Sequence, residues 1–244
     1  EGQPVRLAEK PHPGGALPGE PVSATLACIM PPTPLAATTL AVVDMGSNSF
    51  RLEVGRVEGD QVFRLDTWRE TLRLGAGIDD RGNLRPEARA AALACLARFA
   101  ERLRGLHPSG VRAVATNTLR VAKNAASFLP QAERTLGFPI DVITGYEEAR
   151  LIYLGVAHVL PSSTEPRLVI DIGGGSTEFI VRLGMEPLRL ASLEMGRAGM
   201  PQRLFGDGRL TAAAFAAADQ VARAAEEALA RTFGPSPAPR PHRP

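Results

Sequence analysis

Two copies of one short pattern constrain the fold of this chain more than any other feature. The copies are VVDMGSNSF (residues 42–50) and VIDIGGGSTEFIV (residues 169–181), and each places Asp, Gly and Ser in the order D-x-G-x-x-S after an apolar triplet. The two aspartates, Asp44 and Asp171, are separated by 171 − 44 = 127 residues, which is a normal length for one domain. The repeat therefore predicts two related domains, each opening with a β-hairpin whose turn carries the pattern.

The spacing of apolar residues predicts the elements around these hairpins. Strands are expected at residues 40–44, 50–54, 62–68, 71–74, 111–116, 140–144, 168–172, 177–183 and 188–195. Helices are expected from Pro86 to about Leu103, from a cap at Asn124 to Leu136 with Gly137 closing it, at residues 146–159, and from a cap at Thr211 to about Thr232. The alternation of strands and helices predicts an α/β fold.

Composition sets the limits of the folded part. Residues 1–38 are rich in Pro and Gly and predict a disordered leader, and residues 234–244 predict a disordered tail. The first domain is expected at residues 39–160 and a partial second domain at 161–233. Three strands and one helix would leave a sheet edge and an apolar face exposed, so we expect the second domain to be marginal alone or to be completed by another chain.

Charge and cysteine content exclude some classes of function. The net charge of +2 gives no broad field for nucleic acid or an anionic membrane, so an anion must be held by a local site. No segment approaches the length of a membrane span. The two cysteines, Cys28 and Cys95, form no disulfide framework and indicate a reducing compartment, which favours the cytoplasm.

The chemistry of the two turns favours an anion site. Glycines let the backbone approach a ligand closely, and the hydroxyls of Ser47, Ser49, Ser176 and Thr177 add donors for phosphate oxygens. An aspartate beside such donors is best explained by a divalent cation. The alternative is an ordinary tight hairpin in which Gly supplies the backbone angles and Asp caps the turn. Two copies in register favour phosphate binding.

Beyond the two turns, further motifs occur in a familiar order. They are VVDMGSNSFRLEV, LRLGAGID, VATNTLRVAKN, ITGYEEARLIYLGV and LVIDIGGGSTEFIV. Together, from about Ala41 to Phe233, they resemble the exopolyphosphatase and guanosine pentaphosphate phosphohydrolase family. This family is similar to actin, sugar kinases and heat-shock chaperone ATPases. The resemblance implies two actin/ribonuclease-H-like domains around a phosphate-binding cleft, with the second domain incomplete and a further glycine-rich loop missing from it.

The resemblance also implies roles for individual residues. Glu148 matches the general base that activates a water molecule, whereas Asp171 and Glu178 match carboxylates near a divalent metal, expected to be Mg²⁺, and the catalytic water. The phosphate-binding residues that it implies are Asp44, Gly46, Ser47, Asn48, Ser49, Arg120, Gly173, Gly174, Gly175, Ser176 and Thr177. Taken singly, each has a simpler interpretation: Glu148 can interact with a helix dipole, Arg120 can be ion-paired, and Glu178 can face solvent.

These implications give one leading hypothesis and three alternatives. The first is a cytoplasmic hydrolase that releases terminal phosphate from inorganic polyphosphate, with Glu148 as the base. The close alternative is a guanosine pentaphosphate phosphohydrolase, which the sequence does not separate from the first. A catalytically weak polyphosphate-binding fragment is a third hypothesis, because the second domain is short. An ATP-dependent kinase ranks lowest, because the half of that domain that normally builds an adenosine site is absent. We predict no nucleic-acid or membrane partner, and the sequence leaves a homodimer open.

Overall fold

The structure is a computed structural model that describes residues 38–59, 61–161, 163, 165–183, 186–197, 204–205 and 208–234. The predicted leader, except for its last residue Thr38, and the predicted tail after Gly234 lie outside these residues. Within the described part, no helix combines the length and the apolar character needed to cross a membrane.

The first sheet has five strands. They are β1 (Thr38–Met45), β2 (Ser49–Glu58), β3 (Gln61–Thr71), β4 (Val111–Ala115) and β5 (Ile140–Val142), in the spatial order β3-β2-β1-β4-β5. The first three strands form an antiparallel meander, whereas β4 and β5 run parallel to β1. This order and these directions are those of an actin/ribonuclease-H-like domain, so the predicted fold class is confirmed.

Helices α1 (Pro86–Leu103), α2 (Asn117–Val121) and α3 (Ala125–Leu136) connect the parallel strands. Pro86 occupies the first turn of α1, and Gly137 ends α3 with a φ of 84°, as the sequence predicts. Residues from the sheet and from α1 and α3 share one continuous core, in which Met45, Phe50, Phe99 and Phe128 are fully buried. The sequence analysis missed only the short α2 among these helices.

The strand predicted at residues 71–74 was wrong. Strand β3 ends at Thr71, and Leu74–Gly77 form a 3₁₀ turn. Arg73 has a φ of 53°, a left-handed conformation that a strand cannot contain. The backbone N–H groups of Leu72 and Arg73 instead donate to the carbonyl oxygen of Asn48, at 3.0 and 2.8 Å. The chain is thereby fixed against the first of the two repeated turns.

The second sheet repeats the opening of the first. Strands β6 (Arg167–Ile172), β7 (Thr177–Leu183) and β8 (Glu186–Leu193) form an antiparallel meander in the order β6-β7-β8, which matches β1, β2 and β3. Helix α4 (Gly145–Val159) packs on one face around Ile180, and α5 (Ala212–Phe233) packs on the other face around Leu193. In the described part of the chain, no parallel strand continues this sheet beyond β6.

Helix α4 joins the two halves of the molecule. It follows β5 of the first sheet, yet its buried residues Ala149 and Tyr153 pack on the second sheet. Nothing in the structure tests the predicted boundary between residues 160 and 161, which stays a prediction. The position of α4 nevertheless has a consequence for the site, because the first turn of this helix lies where the two sheets meet.

Candidate functional site

The two D-x-G-x-x-S turns have the same local geometry. A Cβ atom built on Gly46 would lie 3.0 Å from the carbonyl oxygen of Ser49, and one built on Gly173 would lie 2.8 Å from the carbonyl oxygen of Ser176. Neither glycine has a positive φ. The alternative interpretation, in which glycine supplies unusual backbone angles at these two positions, was therefore wrong. Glycine is required because the turn folds back on its own serine carbonyl and leaves no room for a side chain.

The two turns face each other and touch. A Cβ atom on Gly174 would lie 3.0 Å from the backbone nitrogen of Asn48. One on Gly175 would lie 2.5 Å from Ser47 Oγ and 2.4 Å from Asn117 Oδ1. The second and third glycines of the triple-glycine turn are thus explained by the close approach of the first domain. The convergence of the two turns, on which the predicted site depends, is present.

Several donors in this junction are not used by the protein. In the described part of the chain, the backbone N–H groups of Asn48, Gly174 and Gly175 form no hydrogen bond. Ser47 Oγ and Asn117 Nδ2 are buried and likewise have no partner among the described residues. Buried polar groups without partners are rare, and each costs free energy unless a ligand or water satisfies it. Unused donors at one junction are a suitable surface for phosphate oxygens.

Glu148 projects from the first turn of α4 beside this junction. Thr144 caps the helix, with its hydroxyl accepting a hydrogen bond from the N–H of Glu147 at 3.1 Å. Arg120 donates through both terminal nitrogens to Glu148 Oε2, each at 3.2 Å, and through one of them to the carbonyl oxygen of Ile143 at 2.7 Å. These contacts fix both side chains at the junction of the two domains.

The environment of Glu148 makes it basic. Its side chain is 16% exposed. Burial, followed by the negative charge of Glu178, raises the pKa of Glu148 to about 7, although Arg120 acts in the opposite direction. Asp44 adds a smaller repulsion. A carboxylate with a pKa near neutrality is suited to accept a proton in catalysis.

Glu178 is the most deeply buried carboxyl group of the site. It is 1% exposed, and Ser192 donates to its Oε1 at 2.8 Å. Burial raises its pKa, whereas the hydrogen bonds from Ser192 and Ser176 oppose that rise. The interpretation that Glu178 faces solvent was therefore wrong. The sequence analysis also missed Ser192, which orients this carboxyl group.

The two repeated aspartates interact at longer range. Burial raises the pKa of Asp44, Arg51 opposes this, and the charge of Asp171 raises it further. Asp171 itself is exposed and also raises the pKa of Glu178. Four carboxyl groups, from Asp44, Glu148, Asp171 and Glu178, therefore interact electrostatically at the junction.

This carboxyl cluster is too open to enclose a metal ion by itself. No three His, Cys, Asp or Glu residues in the described part of the chain are placed to hold one. Mg²⁺ commonly uses one or two carboxylates and takes its other ligands from water and substrate phosphates. The exposed carboxylate of Asp171 and the neighbouring Glu178 fit such a partial site, which stays a prediction.

Two predicted phosphate ligands have hydroxyl groups that are already used. Ser49 Oγ accepts a hydrogen bond from Arg69 Nε at 3.1 Å, and Thr177 Oγ1 donates to the carbonyl oxygen of Met195. Their role as phosphate donors stays a prediction, as does that of Arg120, which forms an ion pair with Glu148. Asn117 was missed as a member of the site. Its signal was a polar Thr-Asn-Thr run directly after the apolar strand β4.

The chain is similar in sequence and in structure to known phosphatases. The sequence profile described as the Ppx/GppA phosphatase family matches residues 56–236. Among solved structures, an exopolyphosphatase-like protein is 31% identical with a TM-score of 0.74, over 81% of this chain and 62% of the other. An exopolyphosphatase from Cytophaga hutchinsonii is 30% identical with a TM-score of 0.64, over 68% and 53%. The Ppx/GppA enzyme from Aquifex aeolicus is 30% identical with a TM-score of 0.60, over 69% and 56%. The chain thus spans between about half and two thirds of the length of these relatives.

Proposed function

The chain belongs to the Ppx/GppA phosphatase family, and we propose that it hydrolyses a terminal phosphoanhydride, with inorganic polyphosphate as substrate and Glu148 as general base. One observation carries the proposal: the largely buried carboxylate of Glu148, with its pKa raised to about 7, lies beside two converging turns with unused donors. Solved relatives named as exopolyphosphatases support the same substrate. Guanosine pentaphosphate has the same kind of terminal bond and is the alternative substrate.

The role of Glu148 follows from its surroundings. Attack on the terminal phosphorus requires a water molecule that is oriented and loses a proton as it attacks. The Glu148 carboxylate accepts that proton, and its pKa of about 7 makes it a stronger base than an ordinary glutamate while leaving it largely ionised above neutral pH. Arg120 holds the carboxylate from one side, so that its second oxygen remains available for the water.

The two turns supply hydrogen-bond donors for the phosphate oxygens. Phosphate oxygens become more negative around the transferred group, and donors fixed in advance stabilise them without reorganisation. The N–H groups of Asn48, Gly174 and Gly175, with the side chains of Ser47 and Asn117, are the donors we assign to this role. When bound at Asp171 and Glu178, Mg²⁺ would supply positive charge for these oxygens. Because donors come from both domains, phosphate binding requires the two turns to stay together.

Phosphate release from long-chain polyphosphate tests the proposal. We expect the wild type to release phosphate with Mg²⁺ and Glu148→Gln to lose at least about 100-fold in rate, the size of a general-base contribution. For the wild type, the rate should rise with pH through about 7, since Glu148 must be ionised to act. Glu147→Gln is the matched control, because Glu147 is in the same helical turn but pairs with Arg150.

The same assay separates the hydrolase from a binding protein. Binding of polyphosphate without release of phosphate by either the wild type or Glu148→Gln would reject the hydrolase and favour a polyphosphate-binding protein. Release of phosphate from guanosine pentaphosphate but not from polyphosphate would favour the alternative substrate.

A further inference from the structure

Ser192 lies where strand β8 meets both β7 and the first turn of α4. It is paired with Glu178 across β7 and β8, so the two side chains project from the same face of the sheet. Its hydroxyl donates to Glu178 Oε1 at 2.8 Å, and only 6% of the residue is exposed. The single proton of this hydroxyl is thus committed to one carboxylate oxygen.

The first turn of α4 packs closely against the same serine. A Cβ atom built on Gly145 would lie 2.5 Å from Ser192 Oγ, 2.6 Å from Ser192 Cβ and 3.6 Å from Arg120 Nη2. Glycine is the residue that fits here, because any side chain would overlap Ser192. The same turn carries Glu148, to which Arg120 donates. Ser192 therefore contacts the carboxyl group of Glu178 on one side and the turn that carries the proposed base on the other.

The Glu178 carboxyl group is held in place without being neutralised. It is 1% exposed, and no salt bridge links it to any residue that the structure describes. The hydrogen bonds to its side chain come from two hydroxyls, those of Ser192 and Ser176. The charge of Arg120 acts on it from a longer range, since the guanidinium group of that residue donates to Glu148. A buried carboxylate without a salt-bridge partner keeps its charge for a cation that comes from solution.

Hydroxyl donors of this kind are a common support for a carboxylate that ligates a metal ion. A neighbour that hydrogen-bonds the ligand fixes its orientation, and loss of such a neighbour costs about 10–100-fold in metal affinity or activity. Ser176 belongs to the second repeated turn, so replacing it would also disturb the proposed phosphate donors. Ser192 lies outside both turns, on β8, and is therefore the donor through which the orientation of Glu178 can be changed alone.

We propose that Ser192 is a positioning residue, which holds the Glu178 carboxylate in the orientation that binds the divalent cation. The inference deepens the proposed function and rests on it, because it takes Glu178 as a ligand of that cation. The proton of the Ser192 hydroxyl is already used, so the serine acts through Glu178 and not as a phosphate donor. The close contact with Gly145 limits the space in which the hydroxyl can turn away.

Metal binding measured without substrate tests this role apart from catalysis. The probe is Mn²⁺, which takes the same oxygen ligands as Mg²⁺ and whose free concentration is measured by electron paramagnetic resonance. We expect Ser192→Ala to raise the dissociation constant of Mn²⁺ by about 10–100-fold, because Glu178 loses its donor. The Mg²⁺ concentration that gives half-maximal phosphate release should rise by a similar factor. At saturating Mg²⁺ the KM for polyphosphate should change by less than about threefold, because the two turns are unchanged.

Ser192→Thr separates orientation from packing. Threonine keeps the hydroxyl but adds a methyl group to a side chain that already packs against Gly145. We expect the Mn²⁺ dissociation constant of this variant to stay within about threefold of the wild type, even if its melting temperature falls. A packing role would give the reverse order, with the threonine variant binding Mn²⁺ more weakly than the alanine variant. Ser127→Ala is the matched control, because it removes a hydroxyl that donates to the carbonyl oxygen of Asn124, and it should leave Mn²⁺ binding unchanged.

The outcomes distinguish this inference from the proposed function. Unchanged Mn²⁺ binding and unchanged Mg²⁺ dependence in Ser192→Ala would overturn the positioning role, as would an equal loss of affinity in Ser127→Ala. A wild type that neither binds Mn²⁺ nor needs a divalent cation for hydrolysis would overturn it as well. If the wild type releases no phosphate but binds Mn²⁺ more tightly than Ser192→Ala by the expected factor, the proposed hydrolysis is refuted and the role of Ser192 in metal binding stands.

Discussion

Replacing Glu148 with glutamine should stabilise the folded protein at pH 8 while it slows hydrolysis at least about 100-fold. Burial and the charge of Glu178 raise the pKa of this carboxyl group from 4.5 to about 7. A raised pKa means that the folded state resists ionisation of the group, so the ionised side chain destabilises the fold. Glutamine has nearly the same shape, carries no charge and can still accept a hydrogen bond from Arg120.

The magnitude follows from the two pKa values. Each pH unit between them corresponds to about 1.4 kcal/mol, so the ionised carboxylate costs the folded state up to about 3 kcal/mol above pH 7. The Arg120 ion pair is already part of this balance, since it opposes the rise in pKa. We expect Glu148→Gln to increase the free energy of unfolding by about 1–3 kcal/mol at pH 8, because an amide replaces the neutral acid only approximately.

The sign of the effect depends on pH. Below the unfolded pKa of 4.5, Glu148 is protonated in both states and contributes no penalty. Between 4.5 and about 7 the folded state binds more protons than the unfolded state, so stability falls as the pH rises. The difference between Glu148→Gln and the wild type should therefore be near zero at pH 4 and reach its full value above pH 7.

Urea unfolding at pH 4, 6 and 8 measures this difference, with far-ultraviolet circular dichroism as the probe. Glu147→Gln is the control, because Arg150 lowers the pKa of Glu147, and its removal should destabilise slightly or not at all. If Glu148→Gln were equally or less stable than the wild type at pH 8, with unchanged slopes, burial would not be the source of the basic pKa. The assignment of Glu148 as a tuned base would then fail.

Two further predictions use glycines. Gly175→Ala places a methyl group about 2.4 Å from Asn117 Oδ1, which should force the two turns apart and reduce phosphate release at least about tenfold; wild-type rates would refute the contact. In α4, the methyl group of Gly145→Ala would lie 2.5 Å from Ser192 Oγ, so this variant should have a lower melting temperature than the wild type. The methyl group of Gly155→Ala would meet nothing within 4 Å, so this variant should increase the free energy of unfolding by about 0.5–1 kcal/mol. Equal effects of the two alanines would contradict the packing of α4 on β8.

Local sequence signals specified most of the fold. The closing Gly137, Pro86 at the start of α1 and the capping Thr211 all lie where predicted, because each acts through neighbouring backbone atoms. Asn124 is also the residue before α3, but its side chain does not cap the helix and binds the backbone of Leu84 instead. The failure at residues 71–74 has a tertiary cause. Apolar Leu72 and Leu74 suggested a strand, but the carbonyl oxygen of Asn48, more than twenty residues earlier, binds this backbone and turns it away.

The residues of the site likewise fall into those that the sequence could identify and those that it could not. The repeated aspartates and glycines could be found from sequence, since they recur with fixed spacing, and the family resemblance supplied Glu148. Ser192 could not be found, because its role depends on pairing across β7 and β8 with Glu178. Asn117 had only the signal of a polar run after a strand, because its role depends on contact with Gly175 of the second domain.

The basicity of Glu148 depends on groups from both halves of the molecule. Helix α4 leaves the first sheet and packs on the second, where the charge of Glu178 on β7 and burial raise the pKa of Glu148. The first domain adds Arg120, which pairs with Glu148 and opposes that rise, and Asp44, which adds a smaller repulsion. Removing Arg120 should therefore raise the pKa of Glu148, whereas letting water reach the carboxyl group should lower it. The pKa of about 7 is the balance of these opposed effects.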